Sequence, residues 1–139
     1  MSRASRRLRL IAAALALAAS GCDASIDAPT NPKVCWRLSS RGGAKDFQLL
    51  ASGVANLESC AARLEALSMQ ERRGEVTGAY QGQFIFITPD MIQSALRLEG
   101  ARYRVFDAAA RAKLDRALRW RLDDEARPSA FAPPKARRP

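Results

Sequence analysis

Three cysteines, Cys22, Cys35 and Cys60, are the side chains of this 139-residue chain with the most distinctive chemistry, because it contains no histidine. Without imidazole it lacks the usual general base and the commonest metal ligand. Three thiols alone do not complete a tetrahedral zinc site, so no metal or cofactor is expected. The acidic cluster Asp123, Asp124 and Glu125 lies at a helix end beside Arg119, Arg121 and Arg127. That pattern suits a salt-bridged terminus better than a carboxylate pair for acid–base work. "SRGGAK" (40–45) lacks the spacing of a phosphate loop, and no serine has a G-x-S-x-G context. A small enzyme would need a constellation these residues do not form. Arg97, Arg102 and Arg104 are close enough in sequence to present cations on one side, as an anion contact or as a solvated face.

The three sulfurs divide by context. Residues 1–9 carry Arg3, Arg6, Arg7 and Arg9 with no acid, and residues 10–19, "LIAAALALAA", are wholly apolar. A basic start, an apolar run and small residues form a secretory signal over 1–21; the run is too short to span a bilayer. Ala18–Ser20 would serve an ordinary signal peptidase, and "SRRLRL" has some likeness to a twin-arginine signal. The segment "AASGC" (18–22) resembles the lipobox of bacterial lipoproteins. The resemblance implies a diacylglyceryl thioether on Cys22, cleavage before it, and a bilayer as partner. Asp23 resembles the signal that retains enteric lipoproteins in the inner membrane. The lipid route leaves Cys35 and Cys60 as an even pair, and an exported protein is where they would be oxidised. Loss of the leader's four arginines would lower the net charge from +9 to +5. The basicity is therefore partly an address, and no nucleic-acid partner is expected.

Four segments follow: the signal at 1–21, a lipid-anchored flexible linker at 22–32, a small domain at 33–126 and a basic, proline-rich tail at 127–139. Prolines punctuate the linker and stop any helix in the tail. Lys135, Arg137 and Arg138 would each contribute about 1 kcal/mol beside an anionic surface.

The domain should be α+β: a mostly antiparallel sheet of four to five strands with three helices. Aromatic residues make up only 6% of the chain, so the core must lean on aliphatic side chains. "KVCWRL" (33–38) alternates, placing Val34, Trp36 and Leu38 opposite Cys35 and Arg37, and "DFQLLA" (46–51) is its hairpin candidate. "NLESCAARLEALSMQ" (56–70) predicts a helix capped by Asn56, with Leu57, Cys60, Leu64 and Leu67 on one face. A helix laid on a sheet turns Cys60 toward Cys35. A bridge across that separation adds about 3–4 kcal/mol.

"EVTGAY" and "QFIFIT" flank Gln81–Gly82, the mark of a tight hairpin, and the second run is apolar on both faces. "TPDMIQSALRLEG" (88–100) carries helix punctuation: Thr88, Pro89, Asp90 and a final Gly100. "ARYRVF" (101–106) suggests a strand. Residues 108–126 suggest a third helix capped by Asp107, with a stripe of Ala110, Leu114, Ala117, Leu118 and Leu122, and with Trp120 able to cover the sheet's second face.

These elements fit a non-enzymatic, periplasm-facing lipoprotein of the bacterial envelope that interacts with another envelope protein. Their β-α-β-β-α-β order over 33–106 broadly resembles the peptidoglycan-binding SPOR domains, which would imply a glycan ligand instead.

Overall fold

The computed structural model describes residues 25–127, an α+β fold built on one antiparallel sheet of six strands with two helices. In chain order the elements are β1 (Val34–Arg41), β2 (Ala44–Ser52), α1 (Leu57–Glu71), β3 (Val76–Tyr80), β4 (Gln83–Ile87), β5 (Ile92–Ala95), β6 (Tyr103–Arg104) and α2 (Ala108–Ala126). The strands lie in the order β2-β1-β3-β4-β5-β6. Only the link through α1 is longer than a loop, and it returns β3 beside β1.

The Gln81–Gly82 hairpin forms as its sequence requires. Both residues have positive φ, 46° and 81°, which glycine tolerates at the second turn position. β4 lies between β3 and β5, with Phe84 and Phe86 buried on one face and Ile85 and Ile87 on the other. α1 begins at Asn56, whose side chain accepts the Ser59 N–H at 2.8 Å, and it buries Cys60, Ala61 and Leu64. Leu64 fills the space over Gly78. A Cβ there would collide with both methyls of Leu64 and with the Trp36 carbonyl, so the glycine sets how closely helix and sheet approach.

The structure corrects the sequence reading at residues 88–100. The expected helix is absent: β5 pairs with β4 in the register Phe84↔Ala95 to Ile87↔Ile92. Thr88 to Met91 is the connecting turn, with the Thr88 N–H donating to the Met91 carbonyl at 3.0 Å and the Thr88 hydroxyl accepting the Met91 N–H. Proline and aspartate at the two central positions suit a tight turn as well as a helix start. β4 is buried on both faces, and its open edge needs a strand partner, which decides between the two. The fold therefore has six strands and two helices in place of four to five and three. The β-α-β-β-α-β order behind the SPOR likeness does not occur.

Two further expectations change. α2 shares the sheet face of α1: Leu114 packs on the core that contains Cys35, Cys60, Leu64, Ile85, Ile87 and Ile92, and Leu118 and Leu122 are half-buried. Ala110 and Ala117 of its expected stripe are exposed, and Trp120 is 72% exposed rather than packed on the second face. That face is covered instead by residues 25–30, from the stretch assigned to the linker. Ala28 is buried and Ile26 half-buried against Phe84, Phe86 and Ala95, and the Pro29 carbonyl accepts the Gly82 N–H at 2.8 Å. Two aliphatic side chains among polar ones gave this strip too little periodicity to be read as part of the domain.

The disulfide between Cys35 and Cys60 joins β1 to α1, with a Cα–Cα distance of 5.4 Å, and both residues are wholly buried. Cys60→Ser should cost about 3 kcal/mol and lower the Tm by more than about 10 °C, with no further loss on adding reductant. Thermal melts of both proteins with and without dithiothreitol measure this. An unchanged Tm would remove the bridge from the list of determinants.

Candidate functional site

Two surfaces have features beyond those needed for packing. The first lies on the second sheet face, where alternation in paired strands brings together Trp36, Phe47, Phe84 and Phe86. The Phe84 ring lies between Phe47 and Phe86, with centroid separations of 6.1 and 6.3 Å. Arg102 lays its guanidinium 3.9 Å from the Phe86 centroid, a cation–π contact worth about 0.5–1 kcal/mol at an open site. Arg104 lies opposite Gln93 on β5 and so projects to the same face. Beside the strip of residues 25–27 runs a cleft of about 660 Å³, lined also by Lys45, Arg97, Leu98 and Glu99.

The three arginines singled out from the sequence have different surroundings at this face. Arg97 lines the cleft, Arg102 covers Phe86, and Arg104 sits on the edge strand. Lys45, at the start of β2, lines the same cleft as Arg97. Cys22, Lys135, Arg137 and Arg138 lie outside the described residues.

The second surface is the seam between the helices. Near the start of α2, Arg111 donates to Glu65 at 2.9 Å and lies 3.7 Å from Asp115; the Glu65–Arg111 pair is almost wholly buried. Glu65 Oε2, Arg111 Nη1 and Asp115 Oδ1 have no hydrogen-bond partner among the described residues. Burial pushes the Glu65 carboxyl above its ordinary value near 4.5, against the opposing pull of Arg111. Arg111 and Asp115 are one helical turn apart in sequence, whereas no local spacing connects Glu65 on α1 to α2. Farther along, the helices separate over a groove of about 450 Å³, floored by Leu50, Ala62, Ala66, Leu67, Leu118 and Leu122. A bidentate pair from Arg37 to Glu71, at 2.6 and 2.9 Å, fastens the other end of α1 to β1.

Comparison with family models, with curated proteins and with solved structures finds no match for this chain. Function is therefore argued from these surfaces. Among the described residues no three side chains of metal-ligating type cluster, and no helix is long and apolar enough to cross a membrane.

The raised Glu65 pKa fixes the sign of one pH effect. Just above pH 4.5 the folded state keeps a proton that the unfolded chain has released, so this contribution is full below pH 4.5 and fades as pH rises through the folded value. Relative to Glu65→Gln, the parent protein should be more stable at pH 4.5 than at pH 7. Urea unfolding of both at the two pH values checks it; a pH-independent difference would contradict it.

Proposed function

We propose that this protein is a bacterial envelope lipoprotein, anchored by a diacylglyceryl thioether on Cys22, that acts as a non-enzymatic accessory to another envelope protein. The observation that carries the reading is the Cys35–Cys60 bridge. It uses two of the three thiols in the oxidised form typical of exported proteins, and leaves Cys22 alone in "AASGC", after a basic and apolar leader. Two or more acyl chains give stable attachment where one is marginal. The domain faces the periplasm in this reading, and Asp23 favours the inner membrane.

Support for the accessory role comes from α2. None of its 19 residues is fully buried, and Trp120 stands in solvent flanked one helical turn away by Arg116 and Asp124. Tryptophan and arginine are the residues most often found at the energetic centre of protein interfaces. With the apolar groove beside it, this face is suited to a protein partner. The tail cations Lys135, Arg137 and Arg138 add contact with anionic headgroups.

Cys22→Ser should move the protein from the membrane to the soluble envelope fraction, and intact mass of the native protein should show acyl chains together with the loss of two hydrogens at the disulfide. A free thiol on Cys22 with the leader retained would overturn the anchor. A photo-cross-linking residue in place of Trp120 should yield one discrete adduct in cells, absent when the same residue replaces Arg41 at the end of β1. Adducts at both positions or at neither would overturn the docking role.

A further inference from the structure

We infer that the second sheet face is the membrane-facing surface of the protein, with Lys45 and Arg97 engaging the phosphates of phospholipid headgroups. The inference rests on the anchor reading above and goes beyond it in assigning an orientation and a lipid-contact site. The argument is one of tether length. A free linker over 23–32 would reach about 33–36 Å, enough for the domain to turn in any direction. The strip removes most of that reach, because Ile26 and Ala28 pack on the sheet and Pro29 bonds to Gly82. Only three peptide steps separate Cys22 from Ser25, at most about 10–11 Å. The headgroup layer of one leaflet takes up about 5–8 Å of this. A domain of this size is more than about 25 Å across, so so short a leash cannot bring its far side to the membrane.

Ser25 enters the domain in the cleft that holds Lys45 and Arg97. That cleft is therefore the part of the domain delivered to the phosphate layer. Its wall also carries Asp27 and Glu99, so two cations and two carboxylates line the cleft. A phosphate paired with an ammonium, as in an ethanolamine headgroup, satisfies both signs. A purely anionic surface satisfies only the cations. Leu49, 62% exposed on β2 and opposite Trp36, gives the same face an apolar contact at its edge. α1 and α2 lie on the opposite side of the sheet, which leaves Trp120 directed away from the bilayer.

The test uses amide hydrogen exchange on the native acylated protein in vesicles of phosphatidylethanolamine with a minor share of phosphatidylglycerol, compared with Cys22→Ser protein in solution. Several-fold slower exchange at residues 44–46 and 96–100, with α2 unchanged, is expected. Lys45→Glu/Arg97→Glu should abolish that protection while leaving the protein in the membrane fraction. Protection along α2, or none, overturns the orientation. Intact mass of the same sample reports acylation independently. Should it show none, the anchor reading fails, and the orientation is decided by mature chain coupled through the Cys22 thiol to a maleimide lipid in the same vesicles, with the same two outcomes.

Discussion

Everything in this fold depends on how α1 is held against the sheet. Three contacts set that distance. The Cys35–Cys60 bridge joins the layers covalently, Leu64 packs into the space left by Gly78, and Arg37 grips Glu71 with two hydrogen bonds at the helix end. The disulfide restricts the unfolded chain, Gly78 permits the approach, and the ion pair fixes the helix end. A domain of this size, with few aromatic residues, has a modest core, and that core is concentrated at this contact. α2 is added to the result. It contributes Leu114 to the core and a buried ion pair, but no fully buried residue of its own.

The features legible in the sequence were those written in local patterns. The Asn56 cap, the stripe of Cys60 and Leu64, the Gln81–Gly82 turn and the two-faced strand at 83–87 each satisfy a short-range rule, and each is realised. The disulfide was legible because alternation about Cys35 and helical spacing about Cys60 pointed both thiols into the same layer. The error at 88–100 arose because Thr-Pro-Asp serves a turn and a helix start equally well, and only the open edge of β4 separates the two. The pairing of Arg97 with Lys45 was not legible for a related reason: the two residues line one cleft but lie 52 positions apart, so no local spacing connects them.

The two faces of the sheet are finished in different ways. One carries both helices and the aliphatic core. The other carries an aromatic row capped by a short irregular strip and by Arg102. Charged groups collect beside the strip and along the helix seam. In the proposed arrangement this asymmetry gives each side a separate partner, lipid on the aromatic side and protein on the helical side.

The path of the chain out of the strip has a mechanical consequence. A pull on the N-terminus would first peel Ile26 and Ala28 from the aromatic row and break the Pro29–Gly82 hydrogen bond. The load would next reach Lys33, whose carbonyl accepts the Val54 N–H at 2.9 Å, and then Cys35 two residues later. There the covalent link passes the tension directly into α1, so β1 cannot be drawn away from the helix one residue at a time. The strip yields as a short slack, and the bridge acts as the stop that ends it.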